Sequence, residues 1–429
     1  MAPLTITLYD VRGLSLGSVN KKGRYMNMQM LRVMASVTSS LVVAAVAWML
    51  ASGQAYAQTC TQFASGLEFP LAMTKSNQGN LIVSESGTAT PNTGRISIVD
   101  SSGNRRTLLA GLPSGLSDVG DPDGPGGLFL RGRTLFVAIG VGDVGVLGHN
   151  AAGDVVFGSD VPNPTGASSP LFSSVLAIHF SADVENTAET FTLSLADQQA
   201  IARGNKVTLS SGNDHVAIEL VANFPDYVPF PHPQVVGNVQ LSNPFGIVAV
   251  GDELYVTDGG RNRVWEVDIP TGQIATLAEF PNIPNPFFPA LGPPTSQAVP
   301  TGIAYSDKQL LVTLFRGNPF APGTSSVEAI DPLTGDHAAL IRGLKTAIGV
   351  LPLSSHGDTD YLVLQYSSGA GPFFPGPGLV LRFEEPTNAP ALLANCLTFP
   401  SAMVRDEKTG TLYIAESESG RIVSIPVAP

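Results

Sequence analysis

Three carboxylates are the strongest candidates for chemistry in this sequence. Glu85, Asp258 and Glu416 each end a short apolar run: Leu81-Ile82-Val83-Ser84-Glu85, Leu254-Tyr255-Val256-Thr257-Asp258 and Leu412-Tyr413-Ile414-Ala415-Glu416. Equivalent runs end in Ile139, Leu314 and Gln365. If these ends converge, three carboxylates offer a hard cation such as Ca²⁺ its oxygen ligands. A cation held there could polarise a substrate carbonyl. The same side chains could instead accept hydrogen bonds from backbone amides, as buried polar groups generally must.

A second set of candidates is aromatic. Tyr227 and Phe230, Phe287 and Phe288, Phe320, and Phe373 and Phe374 lie in loops crowded with proline. Proline fixes φ, so an aromatic ring beside it is presented with little entropy to lose on binding. Such rings suit an apolar or aromatic small molecule, or a partner protein. They could also pack on one another as caps.

Other motifs do not meet their requirements. Gly140-Val141-Gly142-Asp143-Val144-Gly145 matches a dinucleotide fingerprint, but Val146 to Gly153 is poor helix, and the pyrophosphate needs a helix N-terminus. Asp121-Pro122-Asp123-Gly124 begins like a calcium loop but lacks the later ligands and reads as a turn. The six histidines show no metal-type spacing, and there is no G-x-S-x-G elbow.

The elements that must position these residues are repeats. Phe69-Pro70-Leu71-Ala72-Met73, then Leu81 to Glu85, then Gly94 to Asp100, reappear as Phe399-Pro400-Ser401-Ala402-Met403, Leu412 to Glu416 and Gly420 to Ile425. Further copies begin at Pro125, Pro244, Pro300 and Ala347. One interval is long, and an insertion over about 181–214 accounts for it. Each copy holds four short runs, a to d, of β-branched and apolar residues bounded by turn residues. Four antiparallel strands per repeat of about 50 residues is the blade of a propeller. The expected fold is therefore all-β, a six-bladed β-propeller over 58–429. The last copy has no run d, whereas a spare run, Thr61 to Leu67, precedes the first. That N-terminal run is expected to complete the last blade. Antiparallel order puts the b-to-c and d-to-a connections, with all the Pro/Phe loops, on one face.

Residues 1–57 read as a secretory signal peptide. Lys21, Lys22, Arg24 and Arg32 precede an apolar stretch, Leu41 to Leu50, and Ala55-Tyr56-Ala57 offers a cleavage site. That stretch is far short of the roughly 20 residues a membrane span needs. The mature chain is expected to be periplasmic or extracellular, with no membrane span. One of the 35 acidic and five of the 23 basic residues lie before Gln58, leaving a net charge of −16. No basic cluster remains, which argues against nucleic acid as a partner. Cys60 and Cys396 lie near the two ends of the mature chain, and export favours a disulfide between them.

Ser242-Asn243-Pro244-Phe245-Gly246, with Leu254 to Asp258 and Gly259-Gly260-Arg261-Asn262-Arg263-Val264, resembles the repeat of NHL-type propellers. With Val83-Ser84-Glu85-Ser86-Gly87 and Gly140-Val141-Gly142, the chain over 58–429 resembles the ScyD/ScyE family of exported propellers. That resemblance implies export and a propeller, and no catalytic residues. The family's usual Glu-Ala-Gly is Glu85-Ser86-Gly87 here. The leading expectation is a binding module acting through the Pro/Phe face. The alternative is a calcium-dependent hydrolase or lactonase of the gluconolactonase-like type, with Glu85, Asp258 and Glu416 on the metal. Sugar dehydrogenation with a quinone cofactor rests on fold analogy alone.

Overall fold

The structure is a computed structural model and describes residues 58–355 and 358–427. The signal-peptide expectation, residues 1–57, lies outside them. The regular structure of the described chain is almost all strand; its helical elements are Leu195–Ala202 and a 3-10 turn at Val184–Asn186.

Among the described residues, six sheets share one plan. The first is Pro70–Lys75, Leu81–Glu85, Gly94–Val99 and Arg105–Leu112, paired antiparallel in sequence order. The other first strands are Pro125–Arg131, Pro244–Val250, Pro300–Ser306, Ala347–Ser355 and Pro400–Asp406, where the sequence repeats begin. Each carries an irregularity in register at the same place, directly after its first residue. A shared bulge bends each first strand alike. The second strands are buried on both faces, Leu81–Glu85 along its whole length. This is why they read as continuous apolar runs and not as alternating ones.

The sheets meet through their first strands. Thr257 Oγ1 of the third sheet donates to Thr301 O of the fourth at 2.5 Å, and Thr301 Oγ1 donates to Ala347 O of the fifth at 3.3 Å. Ser84 Oγ of the first donates to Gly126 O of the second at 2.6 Å. The second sheet touches the third, and the fifth touches the sixth. Ser401 Oγ of the sixth donates to Pro70 O of the first at 2.7 Å, so the succession returns to its start. The Pro-x-Gly signature follows from this approach. A Cβ on Gly246 would lie 2.3 Å from Thr301 O, and one on Gly302 would lie 2.6 Å from Ile348 O. No side chain fits between backbones that close.

The sixth sheet takes its fourth strand from the other end of the chain. Thr61–Ser65 pairs antiparallel with Arg421–Pro426, Thr61 opposite Ser424 and Ser65 opposite Arg421. Phe63 packs on Tyr413 within this sheet, with ring centroids 4.7 Å apart. Gln58 N donates to Leu393 O at 2.7 Å, and a disulfide joins Cys60 to Cys396.

The second sheet departs from the plan. Its third strand ends at Phe180 and its fourth begins at Asp214. The intervening segment pairs Phe191–Thr192 in parallel with the outer strand of the first sheet, covering that edge. Its helix is started by a capping box between Ser194 and Asp197. A further four-stranded sheet, from Gly145–His149, Val155–Pro162, Tyr227–Pro229 and Val239–Leu241, has no counterpart in the repeat. It joins the b-to-c loop of the second sheet to the connection leading into the third.

The disulfide restricts the unfolded chain through a very long loop. Its loss is expected to cost about 2–4 kcal/mol. Thermal melts of residues 58–429 with and without reductant, and of Cys60→Ser, check this; equal melting temperatures would refute it.

Candidate functional site

The ends of the second strands hold the predicted carboxylates, and each is fully buried. Glu85 accepts from Glu68 N at 2.5 Å, Arg95 Nε at 3.0 Å, Arg105 Nη2 at 3.0 Å and the Ser97 hydroxyl. Glu416 accepts from Thr398 N at 2.8 Å, Ser419 Oγ at 2.8 Å and the Arg421 guanidinium. Gln365 Oε1 accepts from Lys345 N at 2.8 Å. In all three sheets the amide lies two residues before the first strand. Asp258, shorter by one methylene, reaches the next amide, Asn243 N at 2.7 Å, together with Arg261 N at 3.0 Å, Trp265 Nε1 at 2.9 Å and the Ser242 hydroxyl.

Each side chain therefore clamps the turn that enters its own sheet. Where the position is apolar the clamp comes from elsewhere. At Ile139, Asp123 Oδ2 accepts from Val141 N at 3.1 Å. At Leu314, Asn262 Oδ1 of the preceding sheet accepts from Val299 N at 2.9 Å. Among the described residues no group of three or more His, Cys, Asp or Glu side chains is placed to share an ion. Glu85, Asp258 and Glu416 are not brought together, and each keeps its own donors.

The aromatic candidates divide. Phe320, Phe373 and Phe374 join three rings that sequence reasoning missed, Phe315, Tyr366 and Phe399. Phe374 lies 4.5 Å from Phe320, 5.2 Å from Tyr366 and 6.1 Å from Phe315, centroid to centroid. Phe315 meets Tyr366 at 5.7 Å, and Tyr366 meets Phe399 at 5.0 Å. The rings come from the fourth and fifth sheets and the entry to the sixth. Phe373 is exposed, and the other five rings are half-buried. The missed rings do carry a signal. Phe315 and Tyr366 directly follow the second-strand ends, and Phe399 directly precedes Pro400, so the repeat alone places them on this face.

Phe287 and Phe288 sit on a separate turn, tied by Asn285 Nδ2 to Leu291 O at 2.7 Å, and make no ring contact with the cluster. Tyr227 opens a strand of the extra sheet and Phe230 directly follows that strand; both are exposed.

The loops bearing the cluster are held from beneath. Lys345 Nζ donates to Gly369 O at 2.5 Å and Gly371 O at 2.9 Å. Ser367 Oγ donates to Pro375 O at 2.7 Å. Phe373 N donates to Pro319 O at 2.9 Å, joining the two Pro/Phe loops. Phe320 and Phe373 have φ of 57° and 61°, a region bulky residues rarely occupy unless their surroundings hold them.

Carboxyls adjoin the rings. Burial, then the charges of Glu418 and Asp121, raise the Tyr366 hydroxyl above its usual range. Asp121 lies in the turn that sequence reading assigned to Asp121-Pro122-Asp123-Gly124, where Gly115–Leu116 pairs with Pro122–Asp123. Asp118 and Asp160 lie close enough to act on each other's ionisation. Burial and the charge of Asp118 push Asp160 up to about 7, and burial pushes Asp123 up to about 6. The face thus offers a platform for flat apolar groups, with Asp121 and Glu418 close enough to act on Tyr366.

No protein-family model matches the chain, and no curated relative does. Among solved structures it is similar to the PQQ-bound aldose sugar dehydrogenase of Streptomyces coelicolor, with 14% identity, 85% of this chain and 95% of that one covered, and a TM-score of 0.42. It is also similar to the virginiamycin B lyase of Staphylococcus aureus, with 12% identity, coverages of 86% and 99%, and a TM-score of 0.40. Likenesses this distant carry over neither substrate nor chemistry.

Two outcomes are expected. Glu85→Gln breaks a buried charge network and should cost about 3–5 kcal/mol, while EDTA followed by Ca²⁺ leaves the wild-type melt unmoved. A Ca²⁺-dependent rise lost in Glu85→Gln would restore the metal reading. For the acid pair, the folded protein binds its proton more tightly than the unfolded chain. Its stabilisation is therefore complete below the unfolded carboxylate range and is lost as pH rises through about 7. Asp160→Asn should raise the melting temperature at pH 8 and flatten its fall between pH 5 and 8. A profile parallel to wild type would count against the pair.

Proposed function

We propose that the chain is a six-bladed β-propeller, exported, and that it works as a binding module for an aromatic small molecule on its Pro/Phe face. The propeller reading is supported by six sheets of one plan whose first strands succeed one another in a cycle. Export, to the periplasm or the exterior, follows from the reading of residues 1–57, and agrees with a disulfide between Cys60 and Cys396. Kinship with the ScyD/ScyE family remains part of the proposal, on the resemblance of the repeat motifs.

The observation that carries the binding reading is the cluster of Phe315, Phe320, Tyr366, Phe373, Phe374 and Phe399. A cap would bury its rings against one another. Here none of the six is fully buried, and Lys345, Ser367 and Pro319 fix the loops that present them. A held set of half-exposed rings has little ordering entropy to lose when a flat ligand stacks on it. The calcium-hydrolase alternative loses support because its three carboxylates are committed to clamping the chain.

The test is a fluorescence titration with N-phenyl-1-naphthylamine, a neutral aromatic probe. Saturable binding is expected, and Phe374→Ala, which removes the ring touching three others, should weaken it at least about tenfold. Phe288→Ala, outside the cluster, should leave the affinity unchanged. Absence of saturable binding, or equal loss in both variants, would refute the site.

A further inference from the structure

Cations near the aromatic cluster lack the carboxylate partners that several arginines have elsewhere in the chain. Arg95 and Arg105 pair with Glu85, Arg263 with Glu279, and Arg421 with Glu416. By contrast, Arg316 is 8% exposed, Arg261 9% and Lys345 4%, and none has a carboxylate oxygen within ion-pair distance among the described residues. Arg316 uses only Nε, donating to Thr324 O at 2.9 Å; no hydrogen bond engages its two terminal nitrogens. Glu328 is the acid whose charge it feels, but that carboxylate accepts from Ser326 Oγ at 2.7 Å. Arg261 is barer still: Nε and Nη1 are both buried with no partner. Burial lowers the pKa of all three groups, which shows that nearby charge does not compensate their desolvation. An unpaired buried charge is costly; Arg261 is in that state, and Arg316 keeps two terminal nitrogens unengaged, so the two guanidinium groups suit an anion.

Their placement ties them to the cluster. Arg316 directly follows Phe315. Lys345 holds the loop of Phe373 and Phe374 through Gly369 and Gly371. Arg316 N donates to Ala298 O at 3.0 Å, and Asn262, next to Arg261, accepts from Val299 N at 2.9 Å. The turns of Arg261 and Arg316 therefore flank the same pair of residues. The chain's net charge of −12 repels anions at long range. That field is screened beyond about 10 Å at 0.1 M salt, so attraction must come from these cations at contact.

We propose that the ring cluster and these cations form one amphipathic site whose ligand is an aromatic anion. Its flat rings lie on Phe374 and its neighbours, and its carboxylate or sulfonate is taken by Arg316, with Arg261 as the second cation. The guanidinium fork matches a planar or tetrahedral oxyanion through two N–H groups at once. This inference rests on the aromatic-binding reading above and adds the ligand's charge.

The experiment compares two probes that differ by one sulfonate, 8-anilinonaphthalene-1-sulfonate and N-phenyl-1-naphthylamine, titrated into residues 58–429 at 0.1 M NaCl. The anionic probe is expected to bind at least about tenfold more tightly. Arg316→Gln should erase that preference while keeping the neutral probe's affinity, and Arg316→Lys, which keeps the charge without the fork, should retain part of it. If Arg316→Gln does not fold, Arg316→Lys and Arg261→Gln carry the comparison. Equal affinities in the wild type, or a preference unchanged in Arg316→Gln and Arg261→Gln, would overturn the anion assignment and leave the aromatic site standing. Binding of neither probe would overturn both.

Discussion

The close backbone approach of one sheet's first strand to the next is the constraint on which the rest depends. At Gly246 and Gly302 the neighbouring carbonyl occupies the space a Cβ would need. Thr257 and Thr301 then bridge the gap with hydroxyl hydrogen bonds that no larger separation would allow. Sheets stacked this tightly bury their second strands on both faces. A polar residue at the end of such a strand must find partners within the protein. Glu85, Asp258, Gln365 and Glu416 find them in the turns that deliver the chain into the same sheets. Backbone proximity, buried strands and clamping carboxylates are thus one chain of cause, and it explains why acids recur where a metal site could have been imagined.

The loop face is built differently. Around the rings the loop backbone is not paired into ladders, so side chains hold it: Lys345 through two carbonyls, Arg316 through Thr324, Ser367 through Pro375. The rings above these anchors come from three successive parts of the repeat. Asp121 and Glu418 lie close enough to act on Tyr366, while Arg316 and Lys345 anchor the loops that follow Phe315 and Tyr366.

Much of the scaffold was legible because its causes are local. The Pro-x-Gly and Pro-x-Ala starts mark where first strands begin, and the run ends Glu85, Ile139, Asp258, Leu314, Gln365 and Glu416 are the last residues of second strands. The spare run at Thr61 could be matched to the strand missing after Pro426. Long-range pairings were not legible. Gly145–His149 and Val155–Pro162 share a sheet with Tyr227–Pro229 and Val239–Leu241, and neither segment announces the other. The influence of Asp118 on Asp160 likewise links a turn to a strand well along the chain. Of the Pro/Phe loops, composition identified the face but could not say which rings would meet. Phe320, Phe373 and Phe374 do, whereas Phe287, Phe288, Tyr227 and Phe230 stand apart. Arg316 and Lys345 escaped notice because a buried unpaired cation looks like any other in sequence.

The strand Thr61–Ser65 has a consequence in time. It is made well before its partner, Arg421–Pro426. Cys60 likewise waits for Cys396. During synthesis the opening segment has nothing to pair with, so the cycle of sheets cannot close until nearly the whole chain has emerged. A stacked repeat array can add units one at a time and stay folded. This chain instead depends on segments far apart in sequence, and the bond between Cys60 and Cys396 ties the same two regions covalently.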